Sequence, residues 1–436
     1  MKVKPASRYD VFLNQLELLA YDLVGLPIAV RTLLSRQRAA NVTPSAHYLH
    51  AFYGRLYWRT RSLPTLLRAV LAILLFPFAL AVSIAIYTRR NGAIIRARTG
   101  KRISRQIAEQ VRLELVHSIA PYWYYVFELH EDTRRTRAAL YLQRHETKGP
   151  IYAALQPAAD DGMRDKLVFS AVCLAKGVRA VPVLLDLTGG VASVPDGGGL
   201  SSLPARDIFV KPRVGRGGRH AERWDWSGGD AYKSPMGDIL SEPALMARLK
   251  RLSRERSYVV QPRLANHPDL ADLNNGALAT VRIITIRDEV GRSEATDAVF
   301  RMAIGGNHTV DNFHAGGIAA AVEIKTGALG PASNLGTDAR VGWHDAHPTT
   351  GARIEGRVLP FWQELVDLAC RAHAVFTSRV VVGWDIAILP DGPCVVEGNT
   401  RPDLDILQRI SRSPLGDRRL SDLLAWNLRR AMDAGR

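Results

Sequence analysis

The stretch VGWDIAILPDGPCVVEGN, residues 382–399, constrains this chain more than any other. Two apolar runs rich in β-branched residues flank a Pro-Asp-Gly-Pro turn, which reads as a β-hairpin. A turn centred on Asp391 sets Asp385 opposite Glu397 and puts Asn399, two residues on, on the same face. Two carboxylates side by side in strands that otherwise read as buried repel each other, and burial is costly unless a cation lies between them. Oxygen-only donors suit a hard ion such as Mg²⁺, which completes its shell with nucleotide phosphates. A hairpin with its polar face in water explains one carboxylate easily, but three aligned oxygen donors less well. A register slip of one residue would separate them.

Charge divides the chain unevenly. The net charge is +16, yet residues 1–150 hold 23 Lys and Arg against 9 Asp and Glu, a net +14 in that segment alone. Such a segment is expected to meet an anionic surface. It also contains AVLAILLFPFALAVSIAIY, Ala69 to Tyr87, 19 residues without a charge. That length just spans a bilayer core. Arg59, Arg61 and Arg68 precede it, and Arg89, Arg90, Arg96, Arg98, Lys101, Arg102 and Arg105 follow. Basic residues on both sides fit a single span poorly, and Pro77 sits near the middle, where it would kink a helix. Three readings compete: an in-plane or re-entrant helix on an anionic leaflet, a true span, and a buried core helix. Membrane contact is the expectation, on the inner face of the cell membrane as a peripheral or monotopic cytoplasmic protein. A nucleic-acid partner is not expected, because no zinc-finger, RNP-type or helix-turn-helix signature accompanies the basic segment. Cys173, Cys370 and Cys394 are widely spaced, which suggests neither a zinc site nor a disulfide framework and fits a reducing compartment. The first residues lack the apolar core and cleavage site of a signal peptide.

The pattern along the chain changes once, near Gly149. Residues 1–148 read as basic and helical, and the aromatic run YWYYVFELHED (122–132) as packing between helices. Residues 149–205 alternate helix and strand: DKLVFSAVCLAKG closed by Gly177, then the strand VRAVPVLLDL and a Gly/Ser/Pro-rich linker, 188–204. Residues 206–436 follow, with strands at 207–212, 257–261, 279–287 and 294–304, a helix around 241–255, the helix LPFWQELVDLACRAHAVF and the hairpin.

Several candidates lie in this second part. FVKPRVGRGGRHAERW ends a strand with Lys211 and continues into Gly215, Gly217 and Gly218, a loop whose N–H groups can approach phosphates. It is neither a P-loop nor a dinucleotide fingerprint, because strand rather than helix follows. A flexible hairpin tip is the plainer reading. SYVVQPRL reaches a proline-broken hinge at Gln261, a place where backbone groups can meet an adenine edge. ATVRIITI interrupts a buried strand with Arg282, whose guanidinium needs an anionic partner, internal or bound. GGNHTVDNFHAGGIAAAVE adds Asn312, His314, Gly316 and Gly317.

The order of these pieces resembles the ATP-grasp superfamily. VDNFHAGGIAAAV…TG, then HP…TG, LPFW and VGWDIAI…GP…VEGN look most like its sugar-transfer-associated branch, related to glutamate-ligase-like enzymes, from about Gly149 to Asn399. The resemblance implies an α+β fold of two subdomains clasping ATP, here preceded by the basic helical region. It implies that Lys166 and Lys211 contact phosphates, with Lys211 on the α/β-phosphates and the loop through Gly215, Gly217 and Gly218 as a lid. Gln261 stands where the hinge often has glutamate, so its nucleotide contacts are less defined. Arg282 would stabilise the transferred phosphate, and Asp385, Glu397 and Asn399 would hold Mg²⁺. Asn312, His314, Gly316, Gly317 and His347 are candidates for substrate contact only.

What the resemblance implies in function is an ADP-forming ligase that joins a carboxylate to an amine or hydroxyl through an acyl phosphate. Its partners would be a small-molecule, lipid-linked or glycan-linked carboxylate and nucleophile, in cell-surface glycan or related biosynthesis. Two rivals are a small-molecule kinase on the same fold and an inactive membrane-bound scaffold. The oligomeric state and the acyl donor and acceptor are not legible.

Overall fold

The computed structural model describes residues 42–59, 63–155, 161–195, 202–215, 220–274, 276–305 and 316–434. Two compact units emerge: one of residues 1–155, 335–342 and 403–436, the other of 156–334 and 343–402.

The first unit is helical. Its helices α1 (Pro44–Arg59), α2 (Leu63–Thr99), α3 (Ile103–His117) and α4 (Pro121–Val126) follow one another in the chain. The aromatic run fills the core as expected: Trp123, Tyr124, Tyr125 and Phe127 are buried against Phe76, Leu80, Ile84 and Tyr87 of α2. The two tyrosine hydroxyls find partners, as burial requires. The Tyr124 hydroxyl donates to Glu109 Oε2 at 2.8 Å, and the Gln110 amide donates to Thr88 Oγ1 at 2.9 Å. Pro77 lies inside α2 without ending it. The buried Asn91 of α2 fastens the segment 335–342: its amide oxygen accepts from Ala339 N at 2.8 Å and its Nδ2 donates to Thr337 O at 3.3 Å.

The second unit is α+β, built on two antiparallel sheets. One has seven strands: β1 (Leu185–Thr188), β2 (Val191–Ser193), β3 (Ile208–Pro212), β4 (Glu222–Trp226), β5 (Ala231–Lys233), β6 (Ile239–Ser241) and β7 (Tyr258–Pro262). They lie in the order β2-β1-β7-β3-β4-β5-β6. The other has six: β8 (Thr280–Arg287), β9 (Ser293–Met302), β10 (Ile318–Val322), β11 (Leu329–Ser333), β12 (Val381–Leu389) and β13 (Gly392–Asn399). Its order is β11-β10-β9-β8-β12-β13. Helices α5 (Lys166–Ala175), α6 (Glu242–Leu252) and α7 (Trp362–Val375) cover them. α5 and α7 share the larger core with the six-stranded sheet, through Phe169, Leu365, Leu368, Phe376 and Trp384. α6 packs Leu245 and Leu249 against Leu185, Val210 and Val260 of the seven-stranded sheet. Asp165 caps α5 by accepting from Leu167 N and Val168 N, and Gly177 (φ +70°) leaves it in the left-handed region that glycine tolerates.

Two local expectations change. The strand expected over VRAVPVLLDL survives only as β1, because Pro182 has no N–H to give a ladder; before it, Ala180 makes an isolated parallel bridge to Val395. The hairpin turn is Pro390–Asp391 rather than a turn centred on Asp391, since Leu389 pairs with Gly392. From there the register would miss the expected pair by one residue. A β-bulge between Asp385 and Ile386 takes up that residue, and Asp385 faces Glu397 after all.

The C-terminal helices α8 (Leu404–Ile410) and α9 (Arg419–Ala434) belong to the first unit. The physical tie is the buried Gln408, whose side chain accepts from Leu142 N at 2.9 Å and donates to Leu142 O at 2.7 Å. Ser45 Oγ of α1 likewise donates to Asp422 of α9 at 2.6 Å.

Candidate functional site

The candidate site is a row of charged side chains on one face of the six-stranded sheet. β12 runs between β8 and β13, so Asp385 has Arg282 opposite it on one side and Glu397 on the other. Side chains alternate along a strand, so Gly383, Asp385, Glu397 and Asn399 share that face. Asp385 is only 2% exposed. Arg282 meets it in a fork, Nε to Oδ1 and Nη2 to Oδ2, both at 2.7 Å. Arg301 of β9 adds Nη2 to Oδ2 at 2.9 Å and also donates to Thr280 Oγ1. Burial alone would raise the Asp385 carboxyl; the charge of Arg282, then that of Arg301, with their hydrogen bonds, hold it well below the usual carboxylate range. Asn399 Nδ2 donates to Asp385 Oδ2 at 3.3 Å and to Glu397 Oε1 at 3.4 Å, so the three side chains meet, with the amide NH2 rather than its oxygen turned to the carboxylates. Gly383 has a packing reason to be glycine, since a Cβ there would come within 2.9 Å of Pro402.

Lys211, near the end of β3 in the other sheet, belongs to the same electrostatic neighbourhood. It is 8% exposed, and its ammonium makes no hydrogen bond or ion pair with another described residue. Burial pushes its ammonium down to about 8; the Glu397 carboxylate opposes that shift, the Lys166 charge adds to it, and Asp385 opposes it again. Lys166 opens α5, with Nζ 3.5 Å from Gly215 O, and burial lowers it too, partly offset by Glu397 and Asp165. Glu397 itself has no salt bridge to a described residue. A buried ammonium with no hydrogen-bonded anion among the described residues is costly for the protein alone, and suits a ligand that brings phosphate.

The remaining candidates differ in their surroundings. Gly217, Gly218, Asn312 and His314 lie outside the described residues. Gly215 is not forced by packing, because a Cβ would stay 3.5 Å from Pro212. Gly316 has φ +93° and open space around it, and Gly317 leads into β10. Gln261 is buried and donates from Nε2 to Val181 O at 3.1 Å, which ties the hinge to the chain before β1. His347 is buried, with Nε2 3.0 Å from Ala303 O and Nδ1 3.2 Å from Thr350 Oγ1. Both ring nitrogens are engaged within the protein, so substrate contact would have to break a structural bond.

A hard dication is chemically compatible with Glu397 and Asn399, oxygen donors two residues apart on one strand face. Asp385 is the weaker part of the set, since both of its oxygens are held by guanidiniums. No group of three or more His, Cys, Asp or Glu side chains suited to a metal occurs among the described residues. The candidate set escapes that description because it has two carboxylates and an amide. Arg301 went unnoticed in the sequence although it carries the same signal as Arg282: a guanidinium in an apolar strand, here AVFRMAI.

Solved structures show a distant similarity to this chain. D-alanyl-alanine synthetase A from Vibrio cholerae O1 biovar eltor str. N16961 is 11% identical, with a TM-score of 0.37 over 62% of this chain and 66% of that one. An L-amino acid ligase from Bacillus licheniformis is 11% identical, with a TM-score of 0.35 over 62% and 48%. The D-alanine-D-alanine ligase from Coxiella burnetii is 11% identical, with a TM-score of 0.34 over 63% and 60%. The chain thus spans less than two thirds of each of these proteins. No curated protein matches the chain. The family profile described as sugar-transfer associated ATP-grasp matches residues 156–420, well over half of the sequence, and the chain belongs to that family.

Proposed function

We propose that this chain is an ATP- and Mg²⁺-dependent, ADP-forming ligase that couples a carboxylate to an amine or hydroxyl. It would work at the inner face of the cell membrane, in cell-surface glycan or related biosynthesis. The observation that carries the chemical part is Lys211: an ammonium 8% exposed, unpaired among the described residues, and next to Glu397. A triphosphate supplies the anion that Lys211 lacks.

In this reading the substrate carboxylate attacks the γ-phosphorus, ADP leaves, and the acyl phosphate is captured by the nucleophile with release of phosphate. The protein's task is charge neutralisation and positioning rather than covalent catalysis. Lys211 and Lys166 would hold phosphate oxygens. Arg282 and Arg301, kept in place by Asp385, would face the negative charge that develops on the transferred group. Glu397 and Asn399, with Asp385 if its arginines yield, would hold Mg²⁺, which when bound neutralises phosphate charge.

ADP release is the test: it should require a carboxylate and a nucleophile together, with free phosphate formed in equal amount. Phosphate retained on a product would point instead to a kinase, and no rise in thermal stability with ATP and Mg²⁺ would point to a scaffold.

The Lys211 charge also gives a pH prediction. Protonated at neutral pH, it is lost as pH rises through about 8, so ATP affinity should fall above that value. The fall is at most about tenfold per pH unit for a single group. Titration calorimetry from pH 7 to 9.5 checks it. Lys211→Arg, whose charge persists, should flatten the profile; an unchanged slope in that variant would assign the effect elsewhere.

A further inference from the structure

The long helix α2 presents two different faces. Phe76, Leu80, Ile84 and Tyr87 are buried against Trp123, Tyr124 and Phe127. On the other side Leu67, Val70, Leu71, Leu74 and Phe78 are uncovered, Leu74 by 70% and Phe78 by 71%. At about 100° per residue, Leu67, Leu71, Leu74 and Phe78 fall on one stripe some 60° wide. The exposed Ala85, Arg89 and Arg96 continue that stripe along the same helix. One face therefore runs apolar and then basic, with no acidic residue anywhere in Leu63–Thr99.

This division bears on what can cover the apolar half. A bilayer span needs roughly 20 residues free to meet lipid all round. By length and composition Ile73–Thr99 qualifies, with mean hydropathy 1.5, but 39% of its apolar window is buried inside the protein. Spanning would unpack Phe76, Leu80, Ile84 and Tyr87 from the aromatic core. A helix lying in the interface keeps that core intact, buries the uncovered stripe, and leaves the arginines of the same stripe to meet phosphate headgroups.

We infer that α2 lies in the plane of an anionic leaflet, its Leu67–Phe78 stripe immersed and Arg89 and Arg96 on the lipid phosphates, without crossing the bilayer. This rests on the membrane placement proposed above and is independent of the ligase chemistry. The apolar contact should carry most of the attachment, and the arginines should make it depend on lipid charge and on salt.

The test is sedimentation of the full chain with vesicles of phosphatidylcholine alone or with about 30% anionic phosphatidylglycerol added. The expected result is binding to the anionic vesicles, weakened at least about tenfold by Leu74→Asp with Phe78→Asp. Arg89→Glu with Arg96→Glu should remove the preference for anionic lipid while leaving circular dichroism unchanged. A Phe78→Trp variant should be quenched best by bromines placed shallow in the acyl chains. Quenching greatest at the bilayer centre would mean a span and overturn the in-plane assignment. Vesicle binding that survives Leu74→Asp with Phe78→Asp would keep the membrane placement but remove this face from it. A wild-type chain that ignores vesicles would sink both, and light scattering would then tell whether a second copy covers the stripe.

Discussion

Glu397→Gln should leave a folded protein whose ADP release at saturating ATP falls by about 100-fold or more, the scale of losing one preorganised charged group at a reacting phosphate. The substitution keeps the size and hydrogen-bonding reach of the side chain, so the hairpin pair with Asp385 and the contact to Asn399 can persist. What it removes is the negative charge that has no salt-bridge partner among the described residues and that most strongly supports the Lys211 ammonium. A second readout follows from that coupling. Without Glu397 the Lys211 charge is lost at lower pH, so the pH midpoint of ATP binding should move below about 8. Turnover at the wild-type rate, with the midpoint in place, would show that Glu397 holds neither the metal nor the lysine.

Asp385→Ala should be the most destabilising single change at the site, about 3–5 kcal/mol, because two guanidiniums are left buried without their anion. Arg282 and Arg301 both lean on that carboxylate, at 2.7 and 2.9 Å. The same pair predicts acid sensitivity of a definite sign. The Asp385 carboxyl is held below its ordinary value, so its contribution to stability is fully present above an unfolded pKa near ~3.9 and is lost as pH falls below that. Urea midpoints should therefore drop on acidification toward pH ~3 in the wild type, and less steeply in Asp385→Ala. Adding Arg282→Met to Asp385→Ala should recover part of the lost stability, since one stranded charge is gone. A fully additive double mutant would mean that the two side chains do not share the energy assigned to them.

Much of the site was legible because carboxylates and guanidiniums are improbable in apolar strands, and each such interruption pointed to a partner. Arg282, Asp385 and Glu397 stood out in this way, and the hairpin signal brought two of them together. Arg301 bore the same mark, but its strand alternates less cleanly, with Ser293, Glu294 and Asp297 ahead of it. The register was harder. Turn chemistry located the hairpin but misplaced its two central residues, and a bulge that no residue type announces brought Asp385 back opposite Glu397. His347 looked available in the sequence, yet it is buried with both ring nitrogens engaged, and burial is a property of neighbours distant in the chain.

Patterns carried within a few residues determined the family, the order of the elements, the concentration of positive charge in the first third and the apolar run within it. Tertiary structure alone decided that both oxygens of Asp385 are held by arginines from two other strands, and that Lys211 is buried without a partner among the described residues. It also decided that only one side of α2 is covered by the aromatic core. The reason is the same in each case: charge and polarity are written locally, while the pairing and burial that give them their energy depend on which distant segments pack beside them.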